Sequence, residues 1–329
     1  MIISRVPLRI SFLGGGTDYP EYFREFGGAT LVTTIDRYCH VTVHPLGQFQ
    51  TDNFRIHYSK VESVKSLDEI QHPSARECLR HLKIDGGVEV HYVNDLPART
   101  GLASSSAATV ALLIALNAFR GKIVSRQQIA QDAIFVEQEL IKERVGCQDQ
   151  FACTFGGLSH LEFLREGPAR VNPVPLSKER LGELESHLLL LYTGVQRTAD
   201  EVLDEQIKRT KSGDITEHLG KLKELVARGI EVLASGRDIR EFGELLHEGW
   251  ELKRLLSSKI SNPTLDAQYA RARTAGAIGG KLLGAGGGGF LLLLVPPTAR
   301  EDVKRQMPEL LETKFNLEGE GSTLMFYRS

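Results

Sequence analysis

The sequence is poor in cysteine, with four residues, at 39, 78, 147 and 153, and no CxxC spacing. Such a set builds no disulfide framework, and the simplest compartment for it is a reducing cytoplasm. Long apolar runs are missing too. The longest late one, Phe290 to Val295, falls far short of the roughly 20 residues that span a bilayer. The opening MIISRVPLRISFLGGG is interrupted by Arg5, Pro7 and Arg9, which suits a strand better than the continuous apolar centre of a signal peptide. Nor does one charge dominate: Lys and Arg number 40, Asp and Glu 42, for a net charge of -2. A nucleic-acid or anionic-membrane partner therefore has no electrostatic basis, and a substrate phosphate must be met by local groups. No GxxxxGK[ST] occurs, which excludes a Walker loop.

What is present is a stretch from Asp95 to Leu116, DLPARTGLASSSAATVALLIAL, that runs from a polar turn straight into an apolar helix. Gly101, Leu102, Ala103, Ser104, Ser105 and Ser106 form its bend, with Pro97 just before. Small side chains leave backbone N–H groups uncovered, and the first N–H groups of a helix have no partner within it, so the bend suits an anion such as phosphate. The serine hydroxyls suit phosphate oxygens or a magnesium shell. A Ser-capped helix behind a glycine turn is the structural alternative.

At 329 residues the length suggests about two domains. Ile2 to Leu13 reads as a strand and ends in Gly14, Gly15, Gly16, Thr17 and Asp18, a sharp turn with a hydroxyl and a carboxylate suited to a polyol or simply to capping a short helix. Ala29 to Val43, Phe54 to Tyr58 and Val88 to Val93 read as strands, and Arg76 to Leu82 as a helical segment. The helix expected from Ser125 to about Arg144 carries Glu137 in the middle of an apolar stripe of Ile129, Ala130, Ala133, Ile134, Leu140 and Ile141. A carboxylate there needs a cation or donors, such as magnesium at the serine bend; the alternative is a glutamate that snorkels at the stripe edge or pairs with an arginine. Asp149 is expected in a turn just past that helix, where it either accepts a proton from an attacking hydroxyl, with Arg9 balancing its charge, or merely shapes the turn.

The boundary between an N-terminal unit, residues 1–185, and a C-terminal unit, residues 186–329, is expected near the strand His187 to Tyr192. The turn after it offers Arg197 to a sugar or phosphate, or to solvent. Helical patterns follow over Asp200 to Arg209, Glu217 to Leu233 and Ile239 to Leu256. Then KLLGAGGGGFLLLLV, from Lys281, places Gly284, Gly286, Gly287, Gly288 and Gly289 before a buried strand, where another backbone or a phosphate can come very close.

Three motifs in order, PLRISFLGGGTDYP, LPARTGLASSSAA and KLLGAGGGGF, resemble those of the GHMP small-molecule kinases, which include galactokinase, homoserine kinase and mevalonate kinase. The GGGTDYPEYF form is similar to the sugar kinases that act on D-glycero-D-manno-heptose 7-phosphate and to L-fucokinase domains. The resemblance implies an α+β fold of two domains, the first with a left-handed strand-helix-strand crossover and the second ferredoxin-like. It implies ATP and Mg2+ as cofactors, with Gly101 to Ser106 around the nucleotide phosphates, Ser105 and Glu137 holding the metal, and Asp149 and Arg9 at the acceptor hydroxyl. Gly15, Gly16, Thr17, Asp18, Arg197, Gly286 and Gly287 become substrate-binding candidates. Ala103 stands where the family pattern has Gly, and Gly15 and Gly16 stand where galactokinases have Glu and His. The expected activity is phosphorylation of the anomeric hydroxyl of heptose 7-phosphate. L-fucose or free heptose as substrate, or a non-catalytic sensor on the same scaffold, are the alternatives.

Overall fold

A computed structural model describes residues 1–47, 49, 51–195 and 200–328. The chain begins with β1 (Ile2–Leu13), α1 (Pro20–Phe26), β2 (Gly28–Pro45), β3 (Phe54–His57), β4 (Val61–Val64), α2 (Pro73–His81) and β5 (Val88–Asn94). Helices α3 (Ser104–Phe119), α4 (Arg126–Phe135) and α5 (Gln148–Phe155) follow, then β6 (Ser159–Phe163) and β7 (Arg170–Pro173). The second half opens with α6 (Lys178–His187) and β8 (Leu188–Tyr192), and continues with α7 (Asp200–Ser212), α8 (Thr216–Ala234), α9 (Ile239–Arg254) and α10 (Pro263–Thr274). It closes with β9 (Gly279–Leu282), β10 (Phe290–Leu294), α11 (Arg300–Arg305), β11 (Leu311–Glu312), β12 (Leu317–Glu318) and β13 (Thr323–Tyr327).

Nine of the described strands share one sheet, ordered β13-β1-β2-β5-β3-β4, with β12 and β6 on β2 and β7 beyond β6. The length of β2 makes this possible. Cys39–Pro45 pairs with β5, while Gly28–Val32 pairs with β6. Pro7 has no N–H for the ladder, and the β1–β2 register shifts between Pro7 and Leu8. Strands β3 and β5, on either side of α2, run parallel. The second sheet is ordered β11-β8-β10-β9 and is antiparallel throughout. Its chain order of strand, helices, strand, strand, helix, strand is the ferredoxin-like arrangement.

The chain leaves the first sheet between β7 and β8, but β12 and β13 return to it at the C-terminus. One apolar core runs without a break from Ile2 and Leu8 through Val110 and Leu116 to Trp250, Leu292 and Leu310, and so joins both halves. Helix α3 is apolar nearly all round because it lies inside, between β1 and β2 on one side and α2, α4 and α5 on the other.

Two local differences from the sequence pattern matter for the site. The helix expected to run unbroken to about Arg144 instead changes to a single π-turn at Val136–Leu140, and Glu137 within it meets Ser106 of α3. Asp149, expected in an open turn, lies in the first turn of α5, where a carboxylate is favoured by the exposed N–H groups. No helix among the described residues is long and apolar enough to cross a membrane, and all four cysteines are free and buried.

Candidate active site

A cleft of about 1230 Å³ opens between the bend before α3, the β1–α1 turn, the start of α5 and the β9–β10 turn. Single-ligand pockets occupy roughly 300–1,000 Å³, so this one has room for two small molecules.

Its first wall is the serine bend, which the late glycine run holds by direct backbone contact. Gly101 has φ +87°, and a Cβ built there would lie 2.5 Å from the Leu283 carbonyl oxygen. Reciprocally, a Cβ on Gly284 (φ +69°) would lie 2.5 Å from the Gly101 Cα. Phe290 N donates to Thr100 O, and Arg9 N to Leu102 O, both at 3.2 Å. At Gly284 the close neighbour is another backbone, that of Gly101, and Gly284 also lines the cleft. Ala103 takes the left-handed conformation, φ 63°, to start α3. Leu102 is buried beneath the bend, Pro97 lies at the rim, and Ser104 and Ser105 line the cleft, Ser105 being exposed.

Opposite stands Asp149. Arg9, only 3% exposed, meets both its carboxylate oxygens at 2.8 Å, through Nε and Nη2, and donates from Nη1 to the Gly101 carbonyl, also at 2.8 Å. One guanidinium therefore ties the acid to the phosphate-type bend. Asp18 is buried nearby, accepting from Gly16 N at 3.0 Å and Gln148 N at 3.3 Å. Burial, and then the charge of Asp149, push its carboxyl up to about 6. Gly146 packs so tightly on it that a Cβ would sit 1.9 Å from Oδ2.

Of the Thr17–Asp18 pair only Asp18 faces the cleft. The Thr17 hydroxyl is engaged within the turn, donating to Gly14 O at 2.8 Å and Ala29 O at 2.9 Å. Gly15 and Gly16 line the cleft, as does Gly286, whereas Gly287 uses its N–H on the Ile260 carbonyl. Arg197 lies outside the described residues.

Glu137 is wholly buried behind α3. Its Oε2 accepts from Ser106 Oγ at 2.9 Å and from Gln150 Nε2 at 2.5 Å, so its serine contact is Ser106, while Ser105 sits on the cleft side. Burial pushes the carboxyl up to about 7 against the help of these donors. Oε1 has no hydrogen bond of normal geometry. A buried carboxylate oxygen left over beside the Ser106 hydroxyl fits a hard divalent cation such as magnesium.

Sequence reasoning passed over three features here. Lys253 and Lys281 reach the cleft from α9 and β9, and Tyr58, His72 and Tyr92 also line it, the His72 ring meeting both tyrosines. His72 stacks on Tyr92 with centroids 4.7 Å apart. The lysines lay in patterns that look like an ordinary solvated face and a strand start, and the aromatics come together only through sheet pairing.

A glycine-built bend at a helix start, facing an arginine-braced acid across a cleft wide enough for two ligands, is the arrangement that a nucleotide-dependent kinase of small molecules needs. Residues 71–157 match the GHMP kinases N terminal domain and residues 222–313 the GHMP kinases C terminal. Together they span more than half of the chain, which belongs to the GHMP kinase family of ATP-dependent phosphotransferases. Among its relatives is the D-glycero-alpha-D-manno-heptose 7-phosphate kinase of Campylobacter jejuni, 27% identical over 92% of this chain and 91% of that protein. The L-fucokinase/L-fucose-1-P guanylyltransferase of Bacteroides fragilis is 29% identical over 87% of this chain but only 34% of its own length. A crystal structure of a D-glycero-D-manno-heptose 1-phosphate kinase from Bacteroides thetaiotaomicron superposes with a TM-score of 0.82 at 25% identity, covering 100% of both chains.

Proposed function

We propose that this kinase transfers the terminal phosphoryl group of ATP to the anomeric hydroxyl of D-glycero-D-manno-heptose 7-phosphate, giving the 1,7-bisphosphate for nucleotide-activated heptose synthesis. The carrying observation is the Arg9–Asp149 pair, joined through Gly101 to the anion-binding bend. This pair supports the reading because one guanidinium joins a carboxylate to the glycine bend, the closeness that in-line transfer requires of an acceptor base and a phosphate seat.

In the proposed step the anomeric oxygen forms a bond to the terminal phosphorus as the bond to the bridging oxygen breaks. The hydroxyl proton passes to Asp149, and ADP leaves. Gly101 to Ser106 receive the nucleotide phosphates at the start of α3. Asp18, with Gly15 and Gly16, accepts from sugar hydroxyls. The Tyr58, His72 and Tyr92 rings are suited to stacking a base. Glu137 would hold Mg2+ through its free oxygen, beside Ser106, with Ser105 reaching it from the cleft side, and the ion would neutralise charge on the nucleotide phosphates when bound. We assign residues 1–185 to the nucleotide-binding domain and 186–329 to the C-terminal domain, with β12 and β13 reaching back to the first, and place the protein in the cytoplasm.

The likeness to the Bacteroides fragilis protein supports a second reading, in which the acceptor is L-fucose or another neutral sugar. An ADP-release screen over free and phosphorylated heptoses, hexoses and L-fucose separates the two. Heptose 7-phosphate is expected to give the highest kcat/KM; strong turnover of a neutral sugar with none of the phosphorylated heptose would overturn the assignment.

A further inference from the structure

Lys253 and Lys281 bring two ammonium groups to the C-terminal wall of the cleft, close enough to Arg9 to be repelled by it. Neither has an acidic partner at ion-pair distance among the described residues. Lys281, 7% exposed, donates from Nζ to Phe12 O at 3.0 Å. Lys253 donates to Leu282 O at 2.8 Å and to Gly284 O at 2.6 Å. An ammonium has three donors, so Lys281 retains two and Lys253 one.

Carbonyls alone compensate a desolvated cation poorly. Burial pushes Lys281 down to about 7, with Arg9 adding repulsion and Asp18 opposing it. Burial, then Lys281 and Arg9, hold Lys253 well below its ordinary value. The Arg9 charge is matched by Asp149, which leaves Asp18 as the remaining buried carboxylate of this floor. A phosphate beside them would favour the protonated lysines, and the wall would then carry more positive than negative charge, with donors to spare. Its geometry is also coupled to the first wall, because Lys253 fixes the Gly284 carbonyl and Gly284 packs on Gly101.

We propose that Lys281, Lys253 and Arg9 form a seat for one phosphate group. The inference rests on the kinase assignment above. Because Arg9 also holds Asp149, the group favoured for the seat is the phosphoryl in transit rather than the one already on the sugar.

Calorimetry on the full chain with Lys281→Met, using ADP, a non-hydrolysable ATP analogue, heptose 7-phosphate and free heptose, tests the seat and its source. The expected result is a loss of about 10- to 100-fold in affinity for the ATP analogue, with ADP and both sugars within about threefold. A loss confined to heptose 7-phosphate would also support a phosphate seat and would assign it to the sugar. Equal losses for all four ligands, or no loss, would overturn it and leave Lys281 a strut for the Phe12 carbonyl. Lys253→Met carries the same expectation and keeps the test open if the first variant does not fold. Wild-type protein that binds neither nucleotide would instead remove the kinase assignment and the seat with it.

Discussion

Arg9 clamps Asp149 with two nitrogens and the Gly101 carbonyl with a third, so acid and anion bend move as one. Asp149→Asn keeps the shape and two acceptor lone pairs but removes the base. Turnover is expected to fall by a factor of about 100 or more, while calorimetry should show nucleotide affinity within about threefold of wild type; unchanged turnover would remove Asp149 from the chemistry. Glu137 makes a prediction of opposite sign for stability. Its folded pKa of about 7 lies above the ordinary 4.5, so the folded state holds the proton longer than the unfolded one. Stability from this group therefore falls as pH rises from 4.5 to 7. Glu137→Gln, uncharged at any pH, should match wild type near pH 4 and exceed it by about 3 kcal/mol at pH 8 in metal-free solution. Magnesium should then stabilise wild type and not the variant. Denaturant melts at the two pH values, with and without the metal, decide it, and a constant difference across pH would contradict the buried-charge account.

Among the elements, the two glycine turns behave as one part. Gly101 and Gly284 meet backbone to backbone at positive φ, a contact that tolerates no Cβ on either side. Gly101→Ala should lower stability by about 2 kcal/mol or more and loosen nucleotide binding along with it. Calorimetry that finds nucleotide affinity intact in a destabilised protein would separate the turn from the site. Two residues on, the left-handed φ of Ala103 strains a residue with a Cβ. Ala103→Gly is expected to relieve that strain and raise stability by about 0.5–1 kcal/mol, read from the denaturation midpoint at unchanged slope. A lowered midpoint would mean that the alanine methyl packs more favourably than its backbone is strained. The π-turn at Val136–Leu140 belongs to the same machinery, since it brings Glu137 to Ser106 and Gln150.

Across the whole molecule, what could be read in advance was what local chemistry controls. Strand β1, the serine bend and the late glycine run announce themselves by residue type and spacing, whereas Asp149 by those alone reads equally as a turn residue and stands out only through the family resemblance. Helix α6 did not, because it buries a single side chain, Leu184, and so shows no stripe. Nor did the return of β12 and β13 to the first sheet, a pairing of Leu317 with Ile35 and of Ile2 with Tyr327 that no neighbouring residues encode. The site divides the same way. Arg9 with Asp149 was visible as a possible pair, but Thr17 looked like a ligand until the fold engaged its hydroxyl in the turn. Lys253 and Lys281 acquire meaning only when α9 and β9 converge on the cleft that β1 and α5 line from the other side. That convergence carries the central claim, that the cleft passes a phosphoryl group to a sugar. The most direct measurement is phosphorus NMR of the product formed from ATP and D-glycero-D-manno-heptose 7-phosphate. One new phosphate ester is expected at the anomeric carbon beside the retained 7-phosphate, appearing in step with ADP; ADP without a new ester, or an ester at another carbon, would rule out transfer to that hydroxyl.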